Sequence, residues 1–588
     1  MNDNEDSQSQ TAEGSDSVAQ GSFDLLYPCG WMPKDTHTSS ALSASAWHDL
    51  GIDLLVAAFS GNRSHQQEIR TVFSQIIRDP QVIRYRQDVL EDMLCNSDLV
   101  EKLTALLPVI DALTDFSFQP ERGLNRLHEV SWRMGELQSI IDCVEGLDQV
   151  LAEFQGKFKS QGLRGLLAAV RMLKEKPDYH SLVRNLPEML AKLQSCVSIT
   201  IGVNLDPKLR PVQAMLLAVN DKPFTTQSLM GKLFGRGKEN AGIAPLHSVP
   251  QRIVEGPYAF PVDSELGWEV EPTMVPLFAD LAKILEKTTA PIASKLKEYT
   301  GVQSGFLSQL RQSLIYYLGT VQFIRRLQTA GLPMCRPDIC DLRERLCRIK
   351  GSYNVSLAIR LGGSDGTQHL PKVIVRNDVD IMPEGQILIL TGPNQGGKTT
   401  YMVGVGIAQL LAQAGCFVPG EQAQISPVDN IFSHFPIEEK PEANAGRFGE
   451  EAIRLEQIFE QVTGDSLVLL NESLSNTSFG ESLYLAQDIV RILRRVGARA
   501  IYSTHLHELG NRVEQLNQSV NGEGKIISVV SSPIDEDNSA VQSGVHRSYK
   551  VESRPPLGQS YAREIAGRYG IRYEQLEKIL ADRGVIKV

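Results

Sequence analysis

The stretch ILILTGPNQGGKTT, Ile387 to Thr400, decides how this chain must fold. Its aliphatic start reads as a buried strand, and a helical pattern begins beyond the glycines. Between them stands G-x-x-x-x-G-K-T, formed by Gly392 through Gly397, Lys398 and Thr399. Glycines at these places let backbone N–H groups turn inward around phosphate oxygens, and the helix N-terminus adds positive potential. Lys398 can reach the outer phosphates, and the Thr399 hydroxyl can ligate Mg2+. The spacing predicts a site for ATP and Mg2+ built from Gly392, Pro393, Asn394, Gln395, Gly396, Gly397, Lys398, Thr399 and Thr400.

Downstream, LVLLNESLSNTSFGES (Leu467 to Ser482) starts as another apolar strand and places Asn471 beside Glu472. P-loop enzymes use an acidic residue at such a strand end to help hold Mg2+, with a neighbour that positions or activates water. Glu472 is the candidate for polarising that water. Asn471 can still accept a hydrogen bond from metal-bound water, but it brings no charge. A third strand, ARAIYSTHLHEL, ends near His505, which could sense or stabilise the γ-phosphate. The candidate catalytic residues are Glu472, His505 and Lys398, and the metal side falls to Thr399 and Asn471.

Working outward, 588 residues are too many for one core. Residues 1–22 are acidic and polar and read as a disordered tail, followed by a connector over 23–51. From about Ile52 to Ser195 apolar residues recur at three and four, as in VIRYRQDVLEDMLCNSDLVEKLTALLPVIDAL, which predicts a helical bundle. The pattern breaks at SCVSITIGVNLDPKLRPVQAMLLAVND, where β-branched residues surround a turn, so a small strand pair is expected within an insertion near 196–265. Helical periodicity resumes from Pro276 to Ala330, which closes an all-α domain over 52–334. From 335 to 568 strands alternate with helices, beginning with VIVRNDVDI and QILILTG, which predicts an α/β sheet with ligands at the carboxyl ends of its strands. Residues 569–588 form a last amphipathic helix.

Hydrophobic residues make up 42% and charged residues 22%, the balance of a globular protein. No apolar run approaches the roughly 20 residues needed to cross a bilayer, and no secretory signal opens the chain. The eight cysteines are scattered without zinc-ligand spacing, so they read as reduced thiols in a cytoplasmic protein with no membrane partner. A formal charge of −11 argues against a chain coated in nucleic acid but leaves room for a local basic surface.

The run NDVDIMPEGQILILTGPNQGGKTTYMVGVGIAQLLAQAGCFVP, with LVLLNESLSNTSFGES and YSTHLHEL, resembles the ATPase domain of the DNA mismatch repair MutS family. The resemblance covers about Cys335 to Gly567 and, more weakly, the helical region from Ile52 to Ala330. It implies an α/β P-loop ABC-type ATPase domain joined to an all-α core and lever domain, with a homodimer through the ATPase domains. Each nucleotide is then completed by a partner subunit. The trans-acting segment should lie in AGRFGEEAIRLEQIF, where Arg447 could reach the partner's γ-phosphate, although its Ser/Thr-rich pattern is altered. The family ordinarily has Asp where Asn471 stands, so the resemblance supports ATP binding more strongly than rapid turnover.

Mismatch-recognising members of that family carry an N-terminal Phe-x-Glu motif. Here the F-x-E matches, Phe448-Gly449-Glu450 and Phe479-Gly480-Glu481, both fall inside the ATPase region. A short member without the mismatch reader or the Smr tail is therefore expected. Lys232, Arg236, Lys238, Arg84 and Arg86 are the candidate phosphate contacts for DNA, with structure-specific recognition of mismatched, branched or distorted duplexes as the expected mode. The rival is a slow or inactive ATP-binding assembly module that acts on a protein or ribosomal partner. A metabolite kinase is disfavoured, since no acceptor pocket or lid is evident.

Overall fold

The computed structural model describes residues 23–31, 39–115, 126–194, 198–208, 211–220, 222, 290–296, 299, 305–362, 370–393, 395–436, 446–474, 477–531, 548–556, 570–583 and 585–586. It divides into two compact units, one comprising 1–100, 157–164 and 312–588, the other 101–156 and 165–311.

The first unit is organised by a six-stranded sheet of Ile387–Thr391 (β1), Ile431–His434 (β2), Leu467–Asn471 (β3), Arg499–Ser503 (β4), Ile526–Ser531 (β5) and Val551–Ser553 (β6). Their order is β2-β3-β4-β1-β5-β6; the first five are parallel, and β6 runs antiparallel to β5. All residues of β1, β3 and β4 are buried, which is why β1 and β3 read as apolar runs rather than alternating ones. On one face Ile387, Ile389, Val468, Leu470, Ala500 and Tyr502 meet Leu483, Ala486, Val490 and Leu493 of the helix Phe479–Val496. Burial of each large aliphatic side chain there contributes about 1.5–3 kcal/mol. The helix Lys398–Gln413 packs on β3 and β4. A Cβ added at its Gly406 would lie 2.8 Å from a Leu469 methyl and 2.7 Å from one of Leu50, so both side chains would have to shift.

A second sheet, ordered Asp338–Ile339, Gln422–Ile425, Cys347–Ser352 and Asn377–Ile381, adjoins the first. Arg499 ties the two, donating from its fully buried guanidinium to the carbonyls of Leu346, Ser426 and Pro427. The expected strand VIVRNDVDI is shorter than its composition suggests. Leu370–Val373 is one helical turn, and the strand proper, Asn377–Ile381, belongs to this second sheet.

Helices near the N-terminus also belong to this unit. The 23–51 span contains the strand Ser39–Ala41 and the helix Ala44–Asp49, and Ser43 both caps that helix and donates to the Ile431 carbonyl of β2. The helix Pro80–Cys95 starts on an Asp79 cap that accepts from the Gln81 N–H, with Pro80 in the first turn where its missing N–H costs nothing.

The second unit is helical, with Arg126–Phe154 and Pro177–Gln194 packed together. Lys174 bridges Glu145 and Asp148 at 2.7 and 2.6 Å, and the Tyr299 hydroxyl accepts from Asn185 at 2.9 Å. The strand pair expected here is an antiparallel hairpin, Ser198–Leu205 with Pro211–Asn220. Among the described residues, no helix is long and apolar enough to cross a membrane.

Candidate functional site

Three strand ends converge at the carboxyl edge of the main sheet. The β1 strand runs into the phosphate loop, and Asn471 at the end of β3 pairs in register with Ser503 at the end of β4. Backbone conformation follows from the loop's sequence. Gly392 and Gly397 hold φ of 147° and 89°, the left-handed side that glycine adopts without penalty, and Gln395 joins them at 60°. Space requires glycine too, since a Cβ on Gly392 would stand 2.8 Å from the Ser531 carbonyl oxygen. Ser531 also donates from its hydroxyl to the Gly396 carbonyl, so the end of β5 forms one wall of the loop.

Lys398, the first residue of the helix, is buried and donates its ammonium to the carbonyls of Gly392 and Pro393 at 3.0 and 3.1 Å. Burial pushes its pKa below the ordinary lysine value, with the Glu472 carboxylate 4.0 Å away opposing that shift. Next to it the Thr399 hydroxyl donates to Asn471 Oδ1 at 3.1 Å. One hydroxyl and one amide oxygen thus stand together beside the phosphate loop, a donor pair that fits Mg2+, which keeps water and phosphate oxygens as its remaining ligands.

Glu472 leaves the sheet in a turn that non-glycine residues rarely adopt. Its φ is 49° and that of Leu474 is 62°, a cost of about 1–3 kcal/mol each that the surroundings must offset. Its N–H donates to the Ser503 carbonyl at 2.8 Å, and its Oε1 lies 2.7 Å from His505 Nε2. Burial raises the Glu472 carboxyl, but the His505 hydrogen bond and the pull of His505 and Lys398 outweigh it, so the pKa lies below the ordinary glutamate value. Behind the turn, His434 is fully buried and its Nδ1 sits 2.7 Å from the Ser473 hydroxyl. Burial first, and then Arg454, push His434 down to about 4, so the ring is neutral at pH 7.

A base must be ionised to take a proton, and a lowered pKa keeps Glu472 ionised until pH falls below the ordinary glutamate value of about 4.3. Removing His505 leaves burial as the leading influence and moves that pKa upward. We expect the acid limb of ATP turnover in His505→Ala to lie at higher pH than in the parent, as read from kcat against pH. An acid limb that stayed put would mean that the His505 contact does not govern Glu472 ionisation.

The loop opens into a cleft of about 480 Å3, lined beyond the phosphate residues by Tyr353, Leu357, Leu361, Val373, Val375 and Tyr549. Tyr549, Ser531 and this apolar wall carry no motif, and their elements lie far from the loop in sequence. Of the sequence-derived candidates, Gly392, Pro393, Gln395, Gly396, Gly397, Lys398, Thr399, Thr400, Asn471, Glu472 and His505 gather at this one edge, whereas Asn394 lies outside the described residues. Arg447 falls in the first turn of the helix Gly446–Phe459, and its side chain is not described. Lys232, Arg236 and Lys238 lie outside the described residues. Arg84 donates to the Ile339 carbonyl. Arg86 requires correction as a phosphate contact. It is 1% exposed, donates to the Leu26 carbonyl at 2.9 Å and to that of Ala414 at 3.4 Å, and stacks on Tyr27, so it serves the core.

Comparison with known proteins places both parts of the chain in one family. A family model described as MutS domain V matches residues 388–561, and one described as MutS2 N-terminal domain matches 78–330. The DNA mismatch repair protein MutS of Brevibacillus brevis is 34% identical over 181 residues, 29% of this chain and 21% of that protein. Its counterpart in Caldanaerobacter subterraneus is 33% identical over 189 residues, 32% of this chain and 22% of the relative. That of Prochlorococcus marinus is 26% identical over 264 residues, 44% and 27% of the two chains. The match thus spans between 21% and 27% of these relatives' length. The chain belongs to the MutS family, with that family's P-loop ATPase domain following a MutS2-type N-terminal region.

Proposed function

We propose that this protein hydrolyses ATP at the Lys398, Thr399, Asn471, Glu472 and His505 edge. In this reading two copies close across their ATPase domains, and the nucleotide state governs how the helical unit engages distorted or branched DNA in the cytoplasm. The observation that carries the reading is the Glu472 carboxylate held between His505 Nε2 at 2.7 Å and the Lys398 ammonium at 4.0 Å, beside the phosphate loop. The Glu472 carboxylate takes the proton of the attacking water as that water's oxygen bonds the γ-phosphorus. The bond from that phosphorus to the β–γ bridging oxygen breaks, and ADP and phosphate leave. Gly392 to Thr400 hold the phosphates, and the apolar wall of the cleft takes the base. Mg2+, when bound, neutralises phosphate charge, and Thr399 and Asn471 are the residues that would hold it. His505 keeps Glu472 ionised and oriented. Only a difference in ATP affinity between open and closed dimers can drive the change of state.

Steady-state ATP hydrolysis with and without branched DNA tests the whole reading. DNA-stimulated turnover supports it, whereas turnover indifferent to every DNA form removes DNA from it. A second reading, a protein-binding assembly module, draws support from the hairpin of the helical unit. There Val203, Leu205, Val212, Met215 and Leu217 are each at least half exposed, an apolar surface unlike one built for phosphates.

Asn471 sets the pace in either reading. An amide brings no charge to the divalent ion, and Asp at this position could still accept the Thr399 hydroxyl. In Asn471→Asp we expect Mg2+ affinity to rise on the order of tenfold and turnover to rise with it. Unchanged Mg2+ dependence and rate, measured by titration of Mg2+ against kcat, would sink this account.

A further inference from the structure

The turn that aims Glu472 is held from several sides. The sheet supplies the Ser503 carbonyl to the Glu472 N–H, and Tyr502 donates its hydroxyl to the Ser473 carbonyl at 3.0 Å. Ser482 of the following helix donates to the Leu474 carbonyl at 2.8 Å. The Leu474 N–H instead donates to Glu451 Oε2 at 3.1 Å. Glu451 stands on the helix Gly446–Phe459 and is 7% exposed. A buried carboxylate has good reason to keep such a donor, since hydrogen bonds to ionised acceptors are about twice as strong as neutral ones.

The same helix is anchored one turn further on. Arg454 donates to the Phe435 carbonyl at 2.9 Å and lies 3.9 Å from Asp49, whose carboxylate accepts from Ser433. At its start the helix carries Phe448, 42% exposed. The helix is therefore fixed through its middle.

We propose that Glu451 is a positioning residue for hydrolysis, whose buried carboxylate holds the Leu474 N–H and thereby keeps Glu472 directed at His505 and Lys398. The inference rests on the functional reading above. Glu451 acts through the backbone two residues beyond the base. It also links the Gly446–Phe459 helix to the turn that carries the base through one carboxylate.

The test uses the full chain with Glu451→Ala, Glu451→Gln and Ser482→Ala. In Glu451→Ala, kcat should fall on the order of 10²-fold, the cost of misplacing a catalytic group by about 1 Å, with the affinity for a fluorescent ATP analogue unchanged. Glu451→Gln keeps an oxygen acceptor and should restore most of the rate; Ser482→Ala should show a smaller loss of the same kind. Hydrogen exchange at the Leu474 amide gives a readout independent of turnover, with protection lost in Glu451→Ala and regained in Glu451→Gln. Equal loss of kcat, nucleotide affinity and thermal midpoint in Glu451→Ala, or a Gln variant as slow as the Ala variant, overturns the proposal. Should the parent protein hydrolyse no ATP, the functional reading fails by itself. Unaltered Leu474 protection in Glu451→Ala would then overturn the hold on the turn, and its loss would support it.

Discussion

Lys398→Ala is expected to weaken ATP binding on the order of 10²–10³-fold, equivalent to about 2.7–4 kcal/mol, the loss associated with one well-placed donor in a water-poor site. The Lys398 side chain is 4% exposed, and its ammonium already faces the Gly392 and Pro393 carbonyls. Incoming phosphate oxygens thus meet a cation whose desolvation is settled by the fold, and burial has lowered its pKa without removing the Glu472 carboxylate that favours the charged form. Truncation removes the cation while leaving the glycine loop, whose shape also depends on Ser531 and on the start of the helix. Fluorescence titration with an ATP analogue checks the affinity, and a thermal melt checks that the fold survives. Undiminished affinity with an intact fold would mean that the loop's N–H groups bind phosphate unaided.

The contrast between Lys398 and Arg86 explains how far the sequence could be read. Lys398 is defined by what lies within a few residues of it: a strand before, glycines at fixed places, a helix after. Glu472 and His505 are legible for the same reason, since each follows an apolar run buried on both faces. Arg86 sits on a helix whose periodicity is visible, yet its partners, Leu26 and Ala414, lie 60 and 328 residues away in the chain. Nothing local marks a guanidinium that will be buried against distant carbonyls. Val373 illustrates a second limit: its β-branched neighbours favour a strand, but it closes a short helix that begins at Leu370. The residues Ile374 and Val375 then lead into a strand of another sheet, because strand preference records burial and neighbours more than the backbone itself. Glu451 was legible only as part of a segment that resembles a trans-acting signature. Its hold on Leu474 needs the turn's two left-handed residues, which no propensity foretells.

Glu472→Gln separates binding from chemistry. The amide is nearly isosteric, so its oxygen can still receive a hydrogen bond from the His505 side, and the N–H bond to Ser503 is untouched. What is lost is the site where the water's proton goes. Turnover should fall about 10²–10⁴-fold, the range that a positioned general base contributes. ATP affinity should hold or tighten, because the carboxylate nearest the phosphate site has been neutralised. Lys398, relieved of a partner 4.0 Å away, is then free to serve the phosphate alone. The resulting protein should accumulate in its ATP-bound form, visible as a dimer by light scattering if ATP closes two ATPase domains on each other. Rapid hydrolysis in Glu472→Gln would assign the base to another residue, and a monomer that binds ATP without hydrolysing it would separate nucleotide binding from dimer closure. The direction of the Asn471→Asp change sharpens the comparison. Adding charge at Asn471 and removing it at Glu472 alter neighbouring residues by one charge in opposite senses. A site governed only by net charge would respond to them as mirror images in affinity, whereas a site with divided roles shows the first in Mg2+ dependence and the second in kcat.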